Sequence, residues 1–302
     1  MERRGFLQAG SLMTAGFLAG FTSLNNIKFM NKRIIPSSSE KLPVIGIGTW
    51  QTFDVGKSPE ERLPLQEVVT LLIEKGGSVI DSSPMYGKSE QVVGEVLEST
   101  HLQQSAFLAT KVWTTGKEQG IKQMEKSFNL MKTKKMDLMQ IHNLLDWKTH
   151  LGTLKDWKEA GKIKYIGITH YHEGAYDQLA QVMKSEKLDF LQVNYSIRKR
   201  EAEQKLLPLA AEKGIAVLVN QPFESGSLFS NVKEKKLPAW SEEFDCKSWG
   251  QFFLKFILAN PNVTCVIPGT SKKKHLLDNA GAGFGELPDA KRLKDMISII
   301  AS

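Results

Sequence analysis

Three short apolar segments of the chain each end in a side chain that can donate, accept or hold a proton. Asp81 follows "SVI", Lys111 lies in "FLATKV" and His142 closes "MDLMQIH". Tyr86 lies five residues after Asp81. A carboxylate can hold a lysine in place, and the ammonium can then lower the pKa of a phenol from its usual value of about 10. These residues predict acid catalysis at a carbonyl that becomes an alkoxide, with Tyr86 as proton donor. His142 either hydrogen-bonds the substrate oxygen or passes a proton to Tyr86.

Such residues act together only if the fold brings the ends of their segments to one place. Apolar runs predict eight strands, and amphipathic stretches of helical period lie between them. The predicted strands span residues 44–49, 78–81, 107–112, 136–142, 165–169, 190–194, 216–220 and 264–268. This alternation predicts an α/β fold, the (β/α)8 TIM barrel, whose active sites lie at the C-terminal ends of the strands. A doubly wound sheet is the alternative, which "GIGTW" weakens because it lacks the third glycine of a dinucleotide fingerprint.

The composition is that of a globular protein. Of 302 residues, 41% are hydrophobic and 24% are charged, and this length suffices for one large barrel domain. The net charge of +7 is modest, and the lysines are spread over predicted helix faces. Outside "TSKKKH" there is no concentrated basic stripe, so we expect no nucleic-acid partner.

The N-terminus has a different character from the rest of the chain. Arg3 and Arg4 precede Phe6, Leu7 and a short stretch rich in Gly and Ala, a pattern that resembles a twin-arginine export signal. A basic tail with a chance Arg-Arg pair is the alternative. The apolar stretch is short and weakly hydrophobic, so no stable membrane span is expected.

This pattern predicts two parts of the chain. We expect residues 1–41 to form an export signal and linker, disordered or cleaved, and residues 42–302 to form the barrel. The export machinery would then be a partner, and the protein would be periplasmic, or cytoplasmic if the signal does not function.

Several segments occur together in a familiar order. They are "GIGTW", "IDSSPMYGKSEQVVGEVL", "ATKVW", "MDLMQIHN", "GKIKYIGIT", "LQVNYS" and "VIPGTSKKKHLLDNAGA". From about Leu42 to the C-terminus the chain resembles the aldo-keto reductase family. The resemblance implies that Asp81, Tyr86, Lys111 and His142 form the family's catalytic tetrad. It also implies a (β/α)8 barrel that transfers a hydride from NADPH, or less often NADH, to an aldehyde or ketone without a metal.

A lysine cluster follows the eighth predicted strand. In "PGTSKKKH" small residues open a helix, and backbone N–H groups with lysine ammoniums make an anion site there. The 2′-phosphate distinguishes NADPH from NADH, so the cluster favours NADPH; a solvated lysine run is the alternative. By resemblance the phosphate side of the cofactor meets Gly269, Thr270, Ser271, Lys272 and His275, and the adenine meets Asn279. Because His275 replaces a usual arginine, use of NADH stays open.

The nicotinamide side of the site is less regular. By resemblance Gln192 binds the carboxamide, Thr169 and His170 replace a usual Ser-Asn pair, and Thr49 adds a further cofactor contact. Relatives carry an aromatic residue at the end of the seventh strand, where this chain has Asn220. Either Phe223 swings in to replace that ring, or the nicotinamide is held differently.

The remaining candidates concern the substrate and metals. Trp50 and Trp113, after the first and third strands, are expected to line the substrate pocket with Phe223, although barrel packing is an even alternative for the two tryptophans. "HYH" at residues 170–172 has no third ligand nearby in the sequence, so no metal is expected.

Two other functions compete with carbonyl reduction. Lys111 could form a Schiff base with a substrate, as in an aldolase, but Tyr86 and the lysine cluster would then be unused. Alternatively, a non-catalytic barrel could bind nucleotide as a sensor or partner subunit. The presence of all four tetrad residues argues against lost activity.

Overall fold

The chain folds into one closed barrel of parallel strands. The computed structural model describes residues 29–301. Its strands are β1 Lys32–Ile34, β2 Lys41–Pro43, β3 Ile47–Gly48, β4 Val79–Asp81, β5 Phe107–Val112, β6 Met136–His142, β7 Ile163–His170, β8 Phe190–Asn194, β9 Ala216–Asn220 and β10 Cys265–Val266. Strands β3 to β10 pair in chain order, each parallel to the next. Two bridges, Ile45 with Val266 and Gly48 with Gly269, join the last strand to the first. The predicted (β/α)8 barrel is confirmed.

Helices follow the barrel strands and cover their outer faces. They are α1 Pro59–Glu74, α2 Ser89–Thr100, α3 Lys117–Leu130, α4 Trp147–Glu159, α5 Tyr176–Ser185, α6 Glu201–Gln204, α7 Leu206–Lys213, α8 Ser227–Asn231, α9 Trp249–Ala259, α10 Lys273–Gly281 and α11 Ala290–Ala301. Short 3-10 helices lie at Gln103–Ser105, Glu173–Ala175, Glu224–Gly226 and Ala239–Phe244. The predicted strand 44–49 is regular only at Ile47–Gly48, because the closure with β10 relies on single bridges.

The barrel interior changes from apolar to polar along the strands. Successive residues of a strand point to opposite faces, so every second residue faces the interior. A buried apolar cluster fills the N-terminal part of that interior and contains Val79, Phe107, Ala109, Leu138, Tyr165, Phe190, Ala216, Leu218, Cys265 and Ile267. Continuing the alternation places Lys111 after Ala109, Gln192 after Phe190 and Asn220 after Leu218. The polar side chains therefore gather at the C-terminal end.

An antiparallel hairpin closes the N-terminal end of the barrel. Strands β1 and β2 pair with each other, and Leu42 in β2 and Ile35 just after β1 belong to the same buried cluster as the interior residues. The Arg33 guanidinium donates hydrogen bonds to backbone carbonyls after α9, including one of 2.8 Å to Asn260 and a shorter one to Val263. Residues 29–41 are thus part of the fold, whereas the sequence suggested a linker. The sequence does not reveal this, because Ile35 becomes buried only when it packs with the residues of the barrel interior.

The predicted export signal, residues 1–28 with Arg3 and Arg4, lies outside the described residues. Across residues 29–301, none of the helices combines the length and the apolar character that crossing a membrane requires.

Candidate active site

A buried ion pair lies at the centre of the polar end of the barrel. Lys111 Nζ is 2.7 Å from Asp81 Oδ2 and donates a second hydrogen bond of 2.6 Å to the carbonyl of Ser82. Both side chains are almost fully buried. Burial acts to lower the pKa of Lys111, but the acidic groups of Asp81, Tyr86 and Glu90 together outweigh it, so the pKa of the ammonium is raised. Lys111 is therefore a fixed positive charge, held where the sequence predicted.

Tyr86 lies against this ammonium. Lys111 Nζ is 5.1 Å from the centre of the Tyr86 ring. The turn that carries Tyr86 is tight, because its N–H bonds the carbonyl of Ser83 and Gly87 has a φ of +59°. A side chain at Gly87 would stand 2.4 Å from the Asp54 carboxyl group and would adopt a φ that favours glycine, so glycine suits this position best.

The pKa of Tyr86 does not move in the predicted direction. Burial raises the pKa of the phenol, and the nearby Lys111 only partly offsets that effect. The prediction of a lowered pKa was therefore wrong: it weighed the ammonium and left out desolvation, which disfavours the phenolate. The phenol holds its proton at neutral pH.

His142 stands next to Tyr86. The two rings meet edge to face with their centres 6.0 Å apart, and the Trp113 ring centre is 6.3 Å from that of His142. His142 Nδ1 is 3.0 Å from Ser83 Oγ. Burial lowers the pKa of His142 to about 3, with further lowering by Lys111 and His170. The imidazole is neutral across the physiological range.

Two glutamines complete the hydrogen bonding of the Asp81 carboxylate. Gln140 Nε2 donates to Oδ1 at 3.1 Å, and Gln192 Nε2 donates to Oδ2 at 3.2 Å. The Gln192 amide thus orients the ion pair, while its Oε1 is buried with no partner in the described part of the chain. The side-chain oxygens of Asn143 and Asn220 are likewise buried and unpartnered within residues 29–301.

These unpartnered oxygens are a cost of the polar end of the barrel, because a buried acceptor without a donor loses free energy. All three are closed to solvent within residues 29–301, so their lack of a partner does not by itself mark an open site for a ligand N–H. Asn220 faces the interior at the end of β9, so an amide stands where an aromatic ring was expected.

The other residues predicted on the nicotinamide side have mixed positions. Thr49 is buried and donates hydrogen bonds to the Asp81 carbonyl and to Ser82 Oγ, which ties β3 to β4. Thr169 is buried in register with Gln192. The half-buried His170 ends β7 and accepts a hydrogen bond from the His172 N–H.

The predicted phosphate residues lie at the start of α10. The N-cap of this helix is Lys272, whose N–H donates to Thr270 Oγ1 at 3.1 Å. Residues 272–275 are exposed, and the partly buried Ser271 precedes them. Gly269 lies so near β3 that a side chain there would stand 3.2 Å from the Gly48 carbonyl oxygen. Asn279, one turn beyond His275, is buried. The arrangement leaves cations and helix N–H groups open to an anion.

The three predicted pocket residues have different surroundings. Trp50 and Trp113 are large exposed side chains, 46% and 40% accessible, which simple barrel packing would not leave open. Phe223 instead packs against Phe229 and Phe253, at centre distances of 5.0 and 6.5 Å. This aromatic cluster draws the Phe223 ring towards α8 and α9.

Three polar residues of the site escaped the sequence analysis. Gln140 could have been found, because it lies two residues before His142 in β6 and shares its face. Ser83 and Asn143 carried no such signal, since both lie in loops. Asn143 adopts a left-handed conformation, with φ of 54°, that periodicity does not reveal.

A metal centre finds no support in the described part of the chain. Within residues 29–301 there is no group of three or more His, Cys, Asp or Glu side chains placed to hold an ion. The His170 and His172 ring nitrogens accept backbone N–H groups of their own loop.

Two solved aldo-keto reductase structures superpose on this chain. Aldo-keto reductase AKR11C1 from Bacillus halodurans, in its holo form, superposes with a TM-score of 0.74 at 22% identity, covering 90% of this chain and 97% of that one. An aldo/keto reductase from Klebsiella pneumoniae, in complex with NADP and acetate, gives 0.71 at 22% identity, covering 87% and 93%. At this identity the likeness shows the fold alone.

Sequence comparison goes further. The methylglyoxal reductase YeaE of Escherichia coli (strain K12) is 26% identical over 270 residues, 87% of this chain and 93% of that protein. A model of the Aldo/keto reductase family matches residues 44–292, which include all four tetrad residues and the start of α10. The chain therefore belongs to the aldo/keto reductase family of oxidoreductases.

Proposed function

We propose that this protein reduces an aldehyde or ketone to an alcohol with NADPH, and that Tyr86 donates the proton. The observation that carries the proposal is the buried Asp81–Lys111 ion pair, whose ammonium lies 5.1 Å from the Tyr86 ring centre. The His142 ring centre is 6.0 Å from that of the same phenol. No structural purpose requires a buried charge pair at this point, since such pairs contribute little to stability.

The chemistry follows from the charges. When bound, NADPH supplies a hydride to the carbonyl carbon and is left as NADP+. The carbonyl oxygen then takes the proton of Tyr86, whose raised pKa keeps that proton in place until the oxygen becomes strongly basic. The Lys111 ammonium stabilises the phenolate that results, and it is already oriented by Asp81 before the reaction.

The cofactor assignment is supported from two directions. Lys272, the exposed N-cap of α10, offers an ammonium and helix N–H groups to a phosphate, and the Klebsiella pneumoniae relative is in complex with NADP. At the other end, the family resemblance assigns the nicotinamide carboxamide to Gln192, whose Nε2 donates to Asp81 Oδ2. His275 in place of arginine leaves NADH as a second, weaker cofactor.

An aldolase finds less support than a reductase. Schiff-base formation requires a neutral, accessible amine. Lys111 is 1% exposed, ion-paired and raised in pKa, so its amine is protonated and closed to a carbonyl carbon. Borohydride trapping with substrate would label Lys111 if the aldolase were right.

The deciding experiment is an assay of NADPH absorbance with a panel of aldehydes and ketones. Methylglyoxal belongs in the panel because YeaE is named for it. The panel is run on the full chain and on a chain beginning at residue 29, because residues 29–41 are part of the fold. Tyr86→Phe is the control. Turnover that Tyr86→Phe abolishes supports the proposal; NADPH binding with no turnover on any carbonyl favours the sensor.

We further propose that Arg3 and Arg4 direct export of the folded, cofactor-loaded protein to the periplasm. The support is the sequence pattern alone. Cell fractionation of the full chain against Arg3→Lys/Arg4→Lys tests it. Full-length, uncleaved protein in the cytosol in both cases would contradict export.

A further inference from the structure

One polar contact of the site has no assigned purpose. The Ser83 hydroxyl lies 3.0 Å from His142 Nδ1, and both residues are buried. Ser83 is in the turn between β4 and Tyr86, and its own carbonyl accepts the Tyr86 N–H at 3.0 Å. The contact therefore links the turn that carries the phenol to the imidazole beside it.

The direction of this hydrogen bond can be argued from the partners of each atom. Within residues 29–301, Ser83 Oγ has His142 Nδ1 as its single hydrogen-bond partner. A buried hydroxyl proton needs an acceptor, and if Nδ1 carried a proton the hydroxyl proton would have none. Ser83 therefore donates and Nδ1 accepts.

The other ring nitrogen then carries the imidazole proton. His142 Nε2 has no hydrogen bond to another described residue, and it is not among the buried unpartnered atoms. It is thus open to a ligand, on a ring whose centre lies 6.0 Å from that of Tyr86 and 6.3 Å from that of Trp113.

We propose that Ser83 is a positioning residue that fixes the His142 tautomer, so that Nε2–H donates a hydrogen bond to the substrate carbonyl oxygen. This inference rests on the proposed carbonyl reduction. The opposite tautomer would turn an Nε2 lone pair towards the carbonyl oxygen, and two acceptors would face each other. His142 keeps its proton throughout, and the proton that the alkoxide takes comes from Tyr86.

The test combines spectroscopy with kinetics on the full chain. Imidazole 15N shifts of histidine-labelled protein distinguish the two neutral tautomers, and the six histidines are few enough to assign by single substitutions. We expect wild type to show His142 with Nε2 protonated and Nδ1 bare. Ser83→Ala should give a mixture and lower kcat roughly tenfold, with KM for NADPH unchanged. Ser83→Thr, which keeps the hydroxyl, should restore both readouts.

Each outcome of this test decides a separate part of the proposal. A wild-type protein with Nδ1 protonated overturns the proposal without any variant. An unchanged tautomer in a folded Ser83→Ala, or a changed tautomer with unchanged kcat, overturns it as well. If the tautomer responds to Ser83 while no carbonyl is reduced by wild type, the contact stands and the proposed function fails.

Discussion

The two ends of the barrel interior follow the same alternation and have opposite chemistry. At the N-terminal end, Phe190 packs its ring against Phe107 and Tyr165, at centre distances of 6.0 and 5.4 Å. At the C-terminal end, two residues along the same strand, Gln192 hydrogen-bonds the Asp81 carboxylate. Two residues along one strand therefore separate a layer of aromatic side chains from a layer of polar and charged ones.

The difference separates stability from activity. Burial of aromatic rings stabilises the fold without demanding any particular atom in any particular place. The polar layer is costly to bury and is retained with acceptors such as Asn143 Oδ1 unpartnered within residues 29–301. We therefore expect substitutions at the two ends to separate into losses of rate and losses of stability.

The largest effect is expected at the polar end. Tyr86→Phe removes the proton donor and should lower kcat about 10³-fold, within the range that a positioned acid contributes. NADPH affinity should stay within about twofold, because the hydroxyl acts in the transition state. Steady-state kinetics and a fluorescence titration with NADPH measure both. A variant with wild-type kcat would remove Tyr86 from its role.

The apolar end should respond in the opposite way. Phe190 is fully buried, and Phe190→Ala should lower the free energy of unfolding by about 3–5 kcal/mol because it leaves a cavity. At 25 °C the folded variant should keep kcat within a few-fold of wild type. Urea unfolding and the carbonyl assay test both halves. A loss of kcat larger than the one in Tyr86→Phe would break the division between the ends.

The sequence predicted the barrel and the positions of Asp81, Lys111 and His142 because alternation and strand order determine them. It did not predict what depends on loops and desolvation. The β1–β2 hairpin was missed because Ile35 is too isolated in sequence to mark a buried element. The pKa of Tyr86 was predicted in the wrong direction because the depth of burial is a property of the folded chain. The packing of Phe223 was not predicted because its partners, Phe229 and Phe253, become neighbours only in the fold.

The next prediction concerns the pH dependence of stability, and its expected effect is intermediate in size. The folded-state pKa of His142 is lowered to about 3, against 6.5 as its unperturbed value, so between these values the unfolded chain binds a proton that the folded one refuses. Stability should therefore fall as pH falls through this window, by about 1.4 kcal/mol per pH unit from this residue. His142→Gln removes that contribution. Urea unfolding from about pH 6.5 to about pH 4.5 should show a shallower pH dependence for His142→Gln. Parallel curves would mean that His142 is protonated in the folded protein.

The smallest expected effect lies outside the barrel interior, at the start of α10. Lys272→Ala removes one exposed ammonium from the proposed phosphate site and should weaken NADPH binding about fivefold, the loss of roughly 1 kcal/mol. NADH lacks the 2′-phosphate, so its affinity should change by less than about twofold. The matched control is Lys184→Ala, which removes the same charge from an exposed position in the last turn of α5. Equal losses for both cofactors, or equal losses in the two variants, would make the lysines of "TSKKKH" a solvated surface.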